Sequence, residues 1–296
     1  MLTEIFVLAL VLTTGVRLWL ATRHRAHIAA HRAEVPQAFR DSIPLDAHQK
    51  AADYTMARVS LARADVVVSA LWLLVLTLGG GLQWFYDLAG NLAGDGLLRD
   101  LVFVGVLTLA SGVIDLPFTL YRTFVVEARF GFNKMTPAMF FGDLIKHGLV
   151  AAAIGAPVLA AVLWIMDSLG SAWWVYAWAF WLAFSLAAML LYPTLIAPLF
   201  NKFEPMPEGE LRSRIEGLLE RCGFRADGLF VMDGSRRSAH GNAYFTGFGK
   251  GKRIVFFDTL LNRLGGDEIE AVLAHELGHY KHHHIWKRVA LIGGGS

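Results

Sequence analysis

The sequence predicts a mainly α-helical protein, in which a polytopic bundle of membrane helices is followed by a small α+β domain. Two observations predict this fold class. Of the 296 residues, 55% are hydrophobic and 18% are charged, which is apolar for a soluble protein of average composition. The apolar residues also fall in long blocks before residue 200, whereas the rest of the chain has the mixed texture of a soluble domain.

Five apolar blocks are each long enough to cross a bilayer as a helix, which takes roughly 20 residues. One such block alone is often a buried helix of a soluble protein, but five in succession favour membrane spans. We therefore expect a membrane domain over residues 1–200 with about five transmembrane helices, the last one kinked near its end by Pro193 and Pro198. The blocks are Leu2–Leu20, Ala64–Phe85, Leu97–Tyr121, His147–Met166 and Ala172–Phe200.

The first block is predicted to stay in the protein and not to be cleaved as a signal peptide. It has no positively charged segment before its apolar run, because Arg17, Arg23 and Arg25 lie at its end or follow it. It also lacks a small-residue cleavage site.

Lysine and arginine alternate between the loops that join the blocks. Ala21–Arg63 carries seven and Tyr86–Gly96 none, while Arg122–Lys146 carries four and Asp167–Ser171 none. Since cytoplasmic loops are the positively charged ones, this alternation predicts that the domain after Phe200 lies in the cytoplasm. The net charge of +2 gives no reason to expect a nucleic-acid partner.

The composition also suggests a compartment. Cys222 is the only cysteine, so no intrachain disulfide forms, which suits a reducing compartment. The abundance of Ala, Leu, Gly and Arg favours a bacterial inner membrane over the endoplasmic reticulum. The oligomeric state stays open.

The third block contains an acidic residue and a proline, Asp115 and Pro117. An ionisable residue inside a membrane usually faces a polar cavity, and proline would open the helix backbone nearby. The alternative is an aspartate at a helix end near the membrane interface.

The soluble texture over residues 201–284 predicts a cytoplasmic domain of mixed structure. Glu210–Phe224 has helical spacing and ends near a glycine, and three strand-like runs follow: Leu229–Met232, Ala243–Phe248 and Arg253–Asp258. The second run begins with polar residues and is expected at a sheet edge, where an extended peptide adds as a further strand. The alternative is an ordinary amphipathic hairpin.

The segment from His275 to His279 carries the pattern His-Glu-x-x-His. On a helix, His275 and His279 share one face at about 5–6 Å, a separation that suits two ligands of one Zn²⁺. Glu276 is rotated by roughly 100°, where it reaches a metal-bound water without replacing a ligand. The surrounding apolar positions have helical spacing, so the pattern predicts a zincin-like domain with one Zn²⁺ in each complete site.

Several segments of this chain together resemble the type I CAAX prenyl endopeptidase family, which are multi-pass zinc metalloproteases. The resemblance extends over about nine-tenths of the chain and is more specific than His-Glu-x-x-His alone. The segments are Leu116–Phe118, Phe130–Lys134, Pro198–Phe203, Arg237–Phe245, Arg253–Leu261 and His275–His279.

The resemblance implies a ring of membrane helices around a large chamber, with a zinc site that opens into it from the cytoplasmic side. His275 and His279 would be zinc ligands, and Glu276 the general base and later the proton donor. The substrate-aligning edge strand would be Asn242, Ala243, Tyr244 and Phe245. The implied substrate is a farnesylated protein ending in a CAAX tetrapeptide, or, in a bacterium, a membrane protein or peptide.

The chain departs from that family at the third zinc ligand, a glutamate on a helix well downstream. No acidic residue follows His279, so residues 285–296 are expected to be the start of a further helix that is cut short. Neither His283 nor Glu268 replaces it, because they lie about 12 Å and about 10 Å along the helix from His275. His282–His284 is expected to be a solvated cluster or a weak secondary metal site.

Two other functions remain open from the sequence. A non-catalytic membrane scaffold or pseudoprotease would explain the absent third ligand. A heat-shock-type membrane zinc protease has related chemistry and fewer helices, but its His-Glu-x-x-His pattern falls much nearer the N-terminus than residue 275.

Overall fold

A computed structural model describes residues 1–224, 228–246, 253–281 and Lys287, with the backbone alone at Glu276 and at residues 279–281. The chain divides into two compact units, Met1–Asn133 and Lys134–Ser296, which we call unit 1 and unit 2.

Unit 1 is helical, with a 3₁₀ turn (Gln37–Phe39) in the connection between its first two long helices. Its two largest helix contacts are between α1 and α2 and between α3 and α4. The elements are α1 (Leu2–His31), α2 (Leu45–Thr77), α3 (Gly81–Ala93), α4 (Leu97–Tyr121), a π-helical segment (Arg122–Glu127) and α5 (Ala128–Phe130).

Five helical stretches of the described chain are long and apolar enough to cross a membrane, which confirms the predicted number. Each is longer than its apolar block, because an apolar run marks the part of a helix that lipid covers, whereas backbone hydrogen bonding continues into water. The stretches are Leu2–His31, Leu45–Thr77, Leu97–Phe130, Pro137–Ser168 and Gly170–Leu199.

The second span differs from its prediction. The apolar block Ala64–Phe85 is not one helix, since α2 ends at Thr77 and α3 begins at Gly81. Gly80 lies between them with φ 74°, a left-handed conformation that glycine adopts without steric cost. The expected loop Tyr86–Gly96 is therefore largely helical.

Pro117 does not end α4, contrary to the expectation that it opens the backbone at that point. The helix continues to Tyr121, and the change to π geometry comes at Arg122. The side chain of Asp115 is exposed, and the expectation that it faces a polar cavity stays a prediction.

Unit 2 begins with the two remaining spans. Helix α6 (Pro137–Ser168) is capped at its N-terminus by Thr136, whose Oγ1 accepts a hydrogen bond from the Met139 amide at 3.2 Å. Helix α7 (Trp173–Leu191) is followed by a π-helical turn (Tyr192–Ile196) and a 3₁₀ turn (Ala197–Leu199). These turns contain Pro193 and Pro198, so the predicted kink at the exit of the fifth span is confirmed.

The rest of unit 2 forms a small α+β layer. Three strands agree with prediction to within two residues, and the short strand β1 was not expected. The elements are β1 (Phe203–Pro205), α8 (Glu210–Arg221), β2 (Gly228–Met232), a 3₁₀ turn (Gly234–Arg236), β3 (Ala243–Thr246), β4 (Arg253–Phe257), α9 (Asp258–Leu261) and α10 (Gly266–Lys281).

The four strands form one sheet in the order β1-β2-β4-β3. The central pair β2 and β4 is parallel, with Leu229 opposite Ile254, and the two outer pairs are antiparallel. Among the described residues β3 is an edge strand, in the position that the sequence predicts. The last two residues of the predicted strand Ala243–Phe248 lie outside the described residues.

Helices α8 and α10 share the hydrophobic core with this sheet. Leu273 of α10 and Ile215 of α8 are 1% and 0% exposed, and Phe256 of β4 is 0% exposed. The core therefore fixes which face of α10 points inward.

Candidate active site

Helix α10 carries the His-Glu-x-x-His pattern, and its inward face is set by Ile269, Leu273 and Leu277. His275 is about 200° around the helix from both leucines, and its side chain is exposed. His279 follows one turn later on the backbone of the same helix, beside that of Glu276. The side chains of Glu276 and His279, like residues 282–284, lie outside the described part of the chain.

The donor set on α10 fits two positions of a zinc site. Two imidazoles four residues apart on one helix can bind one ion, and the side chain of His275 is exposed. Among the side chains that the structure describes, no three His, Cys, Asp or Glu residues converge. Glu268 has another role, since its Oε2 accepts a hydrogen bond from the Gly265 amide at 2.8 Å at the start of α10.

Two acidic residues at the start of α10 hold the helix against α8. Arg214 Nε donates to Glu270 Oε1 at 2.6 Å, and its Nη2 contacts Asp267. The hydrogen bonds to Asp267 and Glu270 raise the pKa of Arg214 above its ordinary value. Helical spacing and the helix dipole explain acidic residues here, but they do not predict Arg214 as their partner.

The edge strand β3 has one backbone edge paired with β4. The Phe257 amide donates to the Asn242 carbonyl at 2.9 Å, so the hydrogen-bonded pairs with β4 fall at residue 242 and at alternate residues beyond it. The backbone groups of Ala243 and Phe245 therefore point away from β4. The Ala243 amide donates to Asn242 Oδ1 at 2.9 Å. Among the residues that the structure describes, the Phe245 amide and the two carbonyls are therefore left for an added strand.

The side chains of β3 are anchored on both faces of the sheet. Ala243 is buried, and the Phe245 ring contacts that of Phe224 edge-on at 5.2 Å. Tyr244 packs its ring against Phe257, with centroids 6.3 Å apart, and burial raises the pKa of its hydroxyl. Helix α10 also packs against β3, so the open strand edge and the helix that carries His275 are neighbours in the same fold.

An ion pair that the sequence does not predict lies near the start of α6. Arg237 Nε donates to Asp143 Oδ2 at 2.8 Å and Nη2 donates to Oδ1 at 3.2 Å. Its Nη1 donates to Asn201 Oδ1 at 3.1 Å, and its carbonyl accepts from the Lys134 amide at 3.1 Å. Arg237 and Asn201 lie in segments that carry the family resemblance, so the sequence marks them as candidates for a role. Asp143 lies in none of these segments, and the sequence does not point to it.

Two family models match the chain and together cover most of it. Residues 24–202 match a model described as CAAX prenyl protease N-terminal, five membrane helices. Residues 205–296 match a model of peptidase family M48.

Curated proteins with similar sequences carry the same family name. CAAX prenyl protease 1 homolog of Arabidopsis thaliana is 46% identical over 69% of this chain and 50% of its own length. CAAX prenyl protease 1 of Saccharomyces cerevisiae is 47% identical over 63% and 42%. The Mus musculus homolog is 34% identical over 97% and 70%. The chain spans about half the length of the plant and yeast relatives.

The fold is also similar to a solved structure. The crystal structure of Ste24p from S. mikatae superposes with a TM-score of 0.90 at 36% identity, covering 96% of this chain and 68% of that one. This likeness confirms the predicted fold class, a mainly helical multi-pass membrane protein with a small α+β domain. With its five-helix N-terminal region and its M48 region both matched, the chain belongs to the CAAX prenyl protease family.

Proposed function

We propose that the protein is a zinc-dependent membrane endopeptidase, as the sequence predicts. The observation that carries this proposal is the placement of His275 on the outer face of α10, in a chain whose last third matches peptidase family M48. His275 and His279 would hold the metal, and the described residues assign no third ligand. Bound zinc supplies a water of lowered pKa and polarises the scissile carbonyl.

The residues of this chain have separate roles in this proposal. Glu276 takes the proton of the attacking water and returns it to the leaving amine. The open edge of β3 binds the substrate as an added strand through the Phe245 amide and the Ala243 and Phe245 carbonyls. Main-chain pairing of this kind fixes the direction of a peptide and leaves its side chains free, so it accepts many sequences.

The substrate class follows from the relatives, whose names state CAAX prenyl proteases. We propose a prenylated CAAX protein or a membrane-derived peptide as the substrate, with the catalytic domain on the cytoplasmic side. The relatives named above are all eukaryotic, so they lend no support to the expected bacterial inner membrane. The matched five-helix region favours this family over the heat-shock-type protease, which has fewer helices.

Replacement of the proposed base tests the mechanism. In the purified full-length protein, reconstituted in liposomes with a prenylated CAAX peptide, Glu276→Gln should lower kcat/KM by at least about 10²-fold, because a general base is lost. Zinc content, measured in the same samples by mass spectrometry, should not change. Glu220→Gln, at an exposed position of α8, is the matched control and should keep full activity.

The cleavage assay and a cellular phenotype together distinguish the protease from a membrane scaffold. Equal cleavage by Glu276→Gln and the unaltered protein would contradict the proposed mechanism. A cellular phenotype that survives both His275→Ala and Glu276→Gln, yet is lost when membrane helices are disrupted, would favour the scaffold.

A further inference from the structure

We propose that unit 2 contains a binding site for the phosphate headgroup of an anionic phospholipid. The site is a cavity of about 430 Å³ between the first turns of α6, the chain that follows α7 and the turn after β2. Among the described residues, its lining includes none of the His-Glu-x-x-His pattern, and the argument uses none of them, so the inference does not depend on the proposed protease activity.

The charge of this cavity favours an anion. Among the described residues, its lining contains a single carboxylate, that of Asp143, against four cationic side chains: Lys146, Lys202, Arg236 and Arg237. The carboxylate is occupied by Arg237 through two hydrogen bonds.

The two lysines are the cations available to a ligand. Both are exposed, and neither forms a salt bridge with a described residue. Arg236 has a longer contact of 3.2 Å to Asp233, and half of its side chain is exposed. These three flexible cations can therefore converge on a phosphate without breaking the pair of Asp143 and Arg237.

The position of the cavity favours a lipid over a soluble anion. It lies where the span Pro137–Ser168 begins and the span Gly170–Leu199 ends, which is one face of the membrane because these two spans are joined by a short turn at the other face. Lys146 lies about 14 Å along α6 from its first residue. Basic pockets between membrane helices on the cytoplasmic side bind anionic headgroups.

Apolar side chains on the cavity wall are placed to contact acyl chains. Pro198 and Leu199 line the cavity and are exposed, Leu199 by 55%. A basic cavity with exposed apolar residues on its wall matches the two parts of a phospholipid.

The frame of the cavity is fixed before any ligand binds. Arg237 joins Asp143 of α6 to Asn201 after the fifth span, and the His147 ring stacks on Phe200 with centroids 4.0 Å apart. Because this frame is already ordered, binding loses conformational entropy mainly at the flexible lysines, which become immobilised.

Lipid titration of a variant in which glutamine replaces both cavity lysines tests this site. The purified protein in a neutral detergent is titrated with fluorescent short-chain phosphatidylglycerol, and phosphatidylcholine of the same chain length is the comparison lipid. A lysine near a membrane phosphate contributes about five-fold in affinity, so Lys146→Gln/Lys202→Gln should bind phosphatidylglycerol roughly 25-fold more weakly. The preference over phosphatidylcholine should shrink as salt rises, since screening weakens exposed charge pairs.

The control removes two equally exposed cations elsewhere. Lys50→Gln/Arg221→Gln changes the net charge by the same amount and should retain the affinity of the unaltered protein. Equal binding of both lipids, or equal loss in the control, would overturn the proposal. Displacement of the lipid by inorganic phosphate at equal concentration would assign the cavity to a soluble anion, and displacement by a peptide with a free C-terminal carboxylate but not by its amide would assign it to a peptide end.

Discussion

The side chains of Asp143 and Arg237 are 12% and 23% exposed, so their ion pair is largely removed from water. A pair in this setting differs from one on the surface, because removing one partner leaves an uncompensated charge in a poorly solvated place. Arg237 immediately precedes the stretch that leads into β3, while Asp143 lies on a membrane span. These two residues therefore connect the membrane part of unit 2 with its sheet.

We expect Arg237→Ala to lower the free energy of unfolding by about 2–4 kcal/mol, since Asp143 is left without its partner. The double variant Asp143→Asn/Arg237→Ala should recover part of that loss. Thermal unfolding in detergent, analysed as a double-mutant cycle, measures the coupling.

The exposed pair of Arg40 and Glu34 is the comparison, and Arg40→Ala should cost no more than about 1 kcal/mol. Additive losses in the cycle would show that the pair of Asp143 and Arg237 does not act as a unit.

At the scale of elements, α10 is held by three different kinds of contact. Its apolar side enters the core, its acidic first turn binds Arg214, and Glu268 accepts the amide of Gly265. Periodicity predicts the apolar side and the helix dipole explains the acidic turn, but the partner of that turn lies 53 residues earlier in the chain. Long-range pairs of this kind become visible only when the helices are packed.

Leu273→Ala tests whether this packing positions the proposed zinc face. Leu273 is 1% exposed, so the truncation should cost about 2–5 kcal/mol and weaken zinc binding, although the side chain lies on the opposite side from His275. Thermal unfolding and zinc affinity are measured on the same samples.

Leu45→Ala is the matched control, because Leu45 is 47% exposed. This substitution should lower the free energy of unfolding by less than about 1 kcal/mol. Unchanged zinc affinity in a clearly destabilised Leu273→Ala would show that the core does not position the metal face.

At the scale of the whole molecule, the alternation of lysine and arginine between loops predicts how the five spans are oriented in the membrane. The structure identifies these spans by their length and composition. An odd number of spans puts the two ends of the membrane region on opposite sides. The alternation assigns the α3–α4 connection to the non-cytoplasmic side and the domain after the fifth span to the cytoplasm.

The single cysteine provides a test of this orientation. Cys222 is exposed in the part of unit 2 that follows the spans, so a membrane-impermeant maleimide should label it in inside-out vesicles and not in right-side-out ones. A Cys222→Ser/Asp95→Cys variant moves the thiol to the α3–α4 connection and should show the reverse pattern. Labelling of both positions from one side would contradict the predicted topology.

The amino-acid sequence by itself determined the number of spans, the types and approximate positions of three strands, the edge location of β3 and the helix that carries His275, Glu276 and His279. These features follow from apolar run length, from periodicity of two or 3.6 residues, and from turn residues, all of which are local. The roles of the three site residues and of the β3 edge stay predictions. Only the tertiary structure decided the break at Gly80, the short strand β1, the pairs of Arg214 and Arg237 with their carboxylates, and the basic cavity beside α6. Each of these depends on groups that are distant in sequence or on a local backbone conformation, and a one-dimensional pattern contains neither.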